Sequence, residues 1–256
     1  MNKRHVFSFC ISLAAIVGLI GPACGGSHSG NENAIVVNDN GGRDYHPEIN
    51  AADFVSEITN PLLRLPVGTI FVYEGKDEDG KHVRSELEVT REKKTIMGVP
   101  TTVVRDRSYH ENKLVEDTFD WVAQDKAGTV WYFGEASKEI ENDRVVSTEG
   151  SWEAGVNGAK PGILMLAKPE VGDVYRQEYL KGEAEGIAEV LALNAPVTIA
   201  QGKFIGCLQI KEWAPQEPEI VEHKYYCPDL GGLALTEAVK GETGRSELIR
   251  TTASLR

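Results

Sequence analysis

Residues 68–90, GTIFVYEGKDEDGKHVRSELEVT, set the architecture of the chain. Apolar and polar residues alternate on both sides of Asp79-Gly80, a turn signal whose backbone twist suits a tight β-hairpin. Pairing about a two-residue turn there sets Ile70 opposite Val89 and Val72 opposite Leu87, so these four share a face. Phe71, Tyr73, Glu86 and Glu88 share the other. One apolar face and one mixed face predict a half-buried antiparallel sheet.

The same short alternating runs, punctuated by turn signals, continue through the rest of the chain. In DWVAQDKAGTVWYFGE, residues 120–135, a bend at Lys126 to Gly128 brings Ala123 near Trp131 and Trp121 near Phe133. Phe119, Trp121, Trp131 and Phe133 then share one face, and Val122, Val130 and Tyr132 the other. Two apolar faces imply burial on both, or one face kept for a ligand. The HENK turn sets Arg107 opposite Glu116 as a cross-strand pair. Helical periodicity is weak throughout, and the one expected helix is short, over Ala51 to Thr59 with Asn50 as its cap.

An internal repeat runs through these strands. LPVGTIFVYEG from Leu65 aligns with PEVGDVYRQEY from Pro169, Gly68 on Gly172, an offset of 104 residues. The same offset sets Gly98 on Gly202, Trp121 on Tyr225 and Asp125 on Asp229. The expected fold is therefore all-β, with at most short helices, as two tandem similar antiparallel halves packed as a sandwich or half-barrel. The expected organisation is a signal peptide over 1–23, a flexible tether over 24–50, a first β repeat over 51–149, a connecting segment over 150–168 and a second β repeat over 169–256. The connecting segment is Gly-rich yet carries Trp152, Ile163, Leu164 and Met165, so it is expected to fold over the sheet.

The N-terminus points to export. Lys3, Arg4 and His5 precede an apolar run from Val6 to Ile20, and GPAC supplies small residues for cleavage. ACGG resembles the lipobox of bacterial lipoproteins, with Gly21 where that motif usually has Leu, and marks Cys24 for acylation; the alternative is ordinary signal-peptidase cleavage near Ala23, which leaves an exposed thiol. Parity agrees: Cys10 leaves with the leader, and an acylated Cys24 leaves Cys207 and Cys227 as a pair. Their midpoint falls on Glu217, inside the APQEPE bend, which places them opposite each other on a hairpin as a disulfide. The segment from 25 to about 50 is rich in Gly, Asn, Ser and Asp and is read as tether. Its NDNGGRD lacks the distal glutamate of a calcium loop.

The formal charge is −12, and losing Lys3 and Arg4 makes it two units more negative. Such a chain is repelled by nucleic acid. No GxSxG is present, and Ser151 in GSWEAG is a turn residue. The histidines lack zinc-site spacing, so no metal site and no cofactor are expected. Carboxylates are plentiful in DEDG, VEDTFD, EIEND and EPEIVE, and a close pair of them is the chemistry a glycan hydrolase would need.

DWVAQDKAGTVWYFGE, GSWEAGVNGAKPGILML, VGDVYRQEY and EHKYYCPDLGG together resemble an uncharacterised family of exported bacterial proteins, many of them lipoproteins, over most of residues 58–250. The resemblance implies no catalytic residues. At the level of fold alone, two curved halves behind such a leader are similar to the half-barrel carriers of lipids or lipoproteins in the bacterial envelope. The expected function is non-enzymatic: a lipid-anchored envelope protein binding an apolar or amphipathic ligand, such as a lipid, or a partner protein. Trp121, Trp131, Phe133 and Trp152 are the candidate pocket walls. The alternatives are a carboxylate-dependent hydrolase of an envelope polymer and a scaffold without ligand.

Overall fold

The computed structural model describes residues 45–240 and 244–252. Cys24, the signal peptide and most of the expected tether lie outside the described residues. Asn50 caps a single 3-10 turn, Ala51–Asp53, through a bond from the Ala52 amide to its side chain (3.2 Å). The helix expected there stops after that turn, because Phe54 and Val55 are drawn into a strand.

Short strands β1 (Phe54–Val55), β2 (Thr59–Asn60) and β3 (Leu63–Arg64) lead into β4 (Ile70–Lys76), β5 (His82–Ile96), β6 (Val99–His110), β7 (Lys113–Asp125) and β8 (Val130–Ala136). A small hairpin follows, β9 (Glu139–Glu141) with β10 (Arg144–Ser147). The connecting segment supplies β11 (Trp152–Glu153) and β12 (Gly162–Met165), both paired with β8. The second half contains β13 (Val174–Arg176), β14 (Ile187–Ile199), β15 (Gly202–Trp213), β16 (Val221–Cys227), β17 (Gly232–Lys240) and β18 (Arg245–Thr251).

Each half is an antiparallel meander, and the two join edge to edge where β18 pairs with β4, giving one 16-stranded sheet. The halves begin alike. The Gly68 amide donates to Val89 O (2.7 Å) and the Gly172 amide to Val190 O (2.9 Å), each fastening the entry to the first hairpin of its half. At its other end the sheet curls back on itself. β12 adds to β8, and the Lys160 amide just before it donates to Tyr179 O (2.8 Å), just after β13. Backbone pairing thus runs round a ring through this one bridge, while β10, paired only with β9, stays an edge strand.

Inner and outer faces follow from the pleat. Phe71, Tyr73, Val83, Ser85, Leu87 and Val89 are buried, whereas Glu86 and Glu88 are only partly so. The observed register is Phe71↔Leu87 and Val72↔Glu86, one residue from the expected pairing. The turn is the reason. It holds three residues, closed by Asp77 N→Lys81 O (3.0 Å), with Gly80 at φ 76. A one-residue slip exchanges the faces, so Phe71 and Tyr73 share a face with Leu87 and Val89, while Val72, also buried, shares the other with Glu86. The second hairpin bends at Lys126 to Gly128 and pairs Ala123 with Trp131, as expected. Arg107 faces Asp117 instead of Glu116, because a bulge between Ser108 and Tyr109 advances the register. Arg107 pairs with Glu86 (3.2 Å) on the neighbouring strand.

Cys207 and Cys227 form the expected disulfide, with Cα atoms 4.3 Å apart. It continues the β15–β16 register of Leu208↔Tyr226 by one step.

Candidate functional site

The connecting segment shapes the candidate site. Between Asp120 and Val122 the β7–β8 register shifts, from Asp120↔Glu135 to Val122↔Tyr132. The bulge singles out Trp121. Across β8, β11 sets Trp152 opposite Glu135. That approach needs Gly134, since a Cβ there would stand 2.2 Å from the Trp152 carbonyl oxygen. The Trp152 indole meets Tyr132 edge to face, with centroids 5.2 Å apart. The Tyr132 hydroxyl in turn donates to Asp120 Oδ1 (2.7 Å). Ser151 Oγ accepts from the Ser137 amide (2.9 Å) and so fixes the start of the segment, the turn role expected of it.

Trp121 and Trp152 together border an open cleft of about 290 Å³. Leu180 and Val156 add apolar wall, and Glu135, Glu153, Glu183 and Asn157 add polar groups. Lys94 Nζ lies 3.3 Å from the Trp121 ring centroid and 2.6 Å from Glu153 Oε2. An ammonium is therefore already held between indole and carboxylate at its margin.

The other two candidates lie elsewhere. Trp131 donates from Nε1 to Asp125 Oδ2 (2.9 Å), and Phe133 packs edge-on against Phe54 with centroids 5.6 Å apart. All four aromatics are buried in the main core, Trp152 and Trp131 each 4% exposed, and Trp121 and Trp152 differ in that an edge of each also borders the cleft. The structure thus brings two of the four aromatics to one cleft and gives the other two to packing. The carboxylates and Leu180 were not legible from sequence, because the pairing that gathers them spans β7, β8, β11 and the turn after β13.

Behind the cleft the interior is polar. Lys224 pairs with Glu212 (2.5 Å), and Gln177 donates to the same carboxylate (2.8 Å). Burial raises the carboxyls of Asp120 and Glu178 well above the usual range. For Asp120 the Tyr132 hydroxyl opposes the rise; for Glu178 the Gly186 amide and the Trp152 indole do. Asp106 is raised to about 7, chiefly by burial. Asp106 lines a cavity of only about 40 Å³, which no polymer enters.

No family model matches the chain, and no curated protein matches it. Two solved structures are similar in outline. One is a Bacteroides fragilis protein described as exported, with a YmcC-like fold: 15% identical, covering 75% of this chain and 98% of that one, TM-score 0.45. The other is a Parabacteroides distasonis protein described as a lipoprotein: 13% identical, covering 75% of this chain and 98% of that one, TM-score 0.42.

Proposed function

We propose that the protein is an exported, lipid-anchored envelope protein that binds an amphipathic small molecule in the Trp121–Trp152 cleft and carries out no chemistry on it. One observation carries the reading: tryptophans from the first repeat and from the connecting segment converge on one open cleft that also gathers three glutamates. Its volume of about 290 Å³ lies near the lower end of small-ligand sites. The apolar part of the ligand rests against Trp121, Trp152, Leu180 and Val156. Its donor-bearing end turns to Glu135, Glu153 and Glu183. The basic-apolar leader ending at Cys24 supports the location.

Native mass spectrometry of gently extracted protein tests both halves of this reading. The expected spectrum shows an acylated N-terminal Cys24 and a bound small molecule. Val156 is 48% exposed at the rim, so Val156→Asp spares the core; it is expected to fold and to lose the ligand. Cys24→Ala is expected to free the protein from membranes while leaving the cleft occupied. A ligand retained unchanged in Val156→Asp would remove the cleft from consideration. Membrane retention of Cys24→Ala would remove the anchor.

A further inference from the structure

The 40 Å³ cavity shares no lining residue with the Trp121–Trp152 cleft. The β2–β3 hairpin caps it, bringing Leu63, Arg64 and Leu65 to its mouth. That hairpin is fastened by Gln124 Oε1, which accepts from the Thr59 and Asn60 amides (2.8 Å each), and by the Arg64 amide, which donates to Gly231 O (2.7 Å). Phe71, Leu87 and Leu164 form apolar wall. The polar groups that face the cavity are Asp106, Lys224, Tyr73 and Tyr226.

Most of these are committed. Lys224 holds Glu212, and the Tyr73 hydroxyl donates to Leu233 O (3.3 Å). Asp106 differs. Its Oδ1 accepts from Ser85 Oγ (2.5 Å), while its Oδ2 is buried with no hydrogen-bond partner. Its register partners on the flanking strands, Leu87 and Thr118, offer no cation. The adjacent Arg107 is drawn to Glu86 and Glu88; Glu116 on β7 adds negative potential at Asp106, and the Lys224 ammonium on the same cavity wall, with Arg107, offsets part of it without bonding to Oδ2. A buried carboxylate oxygen in this setting is satisfied best by a charged donor.

We propose that this cavity binds a primary ammonium group, held on Asp106 Oδ2 with its carbon stem against Phe71, Leu87 and Leu164. A small alkylamine and the ethanolamine headgroup of a lipid both carry that chemistry. The volume accommodates on the order of three non-hydrogen atoms, which is an ammonium nitrogen and two carbons. A trimethylammonium head is too large. Arg64 at the mouth is placed to meet an anionic group on the part of the ligand that stays outside.

Titration of the mature protein with ethylamine, followed by amide NMR shifts of Leu87, Asp106 and Leu164, tests the site. Three atoms bind no tighter than about 1 mM, so concentrations reach tens of millimolar at constant ionic strength. Saturable shifts are expected with ethylamine and at least tenfold weaker binding with ethanol and choline. Ethylamine affinity should rise about tenfold or more from pH 5.5 to 8 as Asp106 ionises. Asp106→Asn should abolish binding. Leu164→Phe, which fills the cavity and keeps the carboxyl, should abolish it too. Sedimentation with phosphatidylethanolamine but not phosphatidylcholine vesicles assigns the lipid source; ethylamine binding without that preference assigns a free amine. Equal binding of ethanol, binding that survives Asp106→Asn, or no saturable shift overturns the site.

Discussion

At the scale of single residues, the interior acids decide how this protein responds to pH. Burial raises Asp106 from 3.8 to about 7, so between those values the folded chain holds a proton that the unfolded chain has released. Stability from this group is fullest below about pH 4, falls as pH rises, and is level above about 7. A shift of three units corresponds to about 4 kcal/mol. Asp120 and Glu178 act in the same direction. Thermal unfolding is therefore expected at a Tm several degrees higher at pH 5.5 than at pH 8. Asp106→Asn should flatten that slope; an unchanged slope in the variant would mean that Asp106 does not carry it. None of these three carboxyls was singled out by sequence reasoning. Asp106 and Asp120 sit in ordinary alternating strands and Glu178 lies just past the end of β13, and only the curl of the sheet turns them inward.

At the scale of elements, hairpins were legible and their registers only partly so. The β15–β16 hairpin follows from its symmetry about Glu217, and its cysteines meet as a bridge of sequence separation 20. A loop of that size stabilises the fold by about 3 kcal/mol through the unfolded chain. Replacing Cys207 and Cys227 with Ala should lower unfolding stability by that amount and remove any effect of added reductant. A stability equal to that of the oxidised protein would contradict the expectation. The β4–β5 hairpin shows what strand alternation leaves open. Asp79-Gly80 fits a two-residue or a three-residue loop, and the choice sets whether Phe71 and Tyr73 share a face with Glu86 or with Leu87. The β7–β8 bend was read correctly, yet its bulge at Trp121 leaves no mark in the local pattern.

At the scale of the whole molecule, closure of the ring rests on β12. A Cβ at Gly162 would stand 2.0 Å from the Gln177 carbonyl oxygen, so Gly162→Ala forces the two segments apart at a cost of about 1–3 kcal/mol. Hydrogen exchange should show lost protection at the Lys160 amide, which donates to Tyr179 O, while the Val89 amide on Thr69 O stays protected. Uniform loss at both would mean that the ring does not close locally. By itself, the sequence determined the β class, the tandem halves and the cysteine pair, because alternation, turn residues and hairpin symmetry act between neighbours along the chain. The tertiary structure alone decided the closed ring, the polar interior, and which of Trp121, Trp131, Phe133 and Trp152 share a cleft. Those depend on strand pairing across more than a hundred residues and on one-residue bulges, where the energy that selects a partner lies in the packed whole and in no single segment.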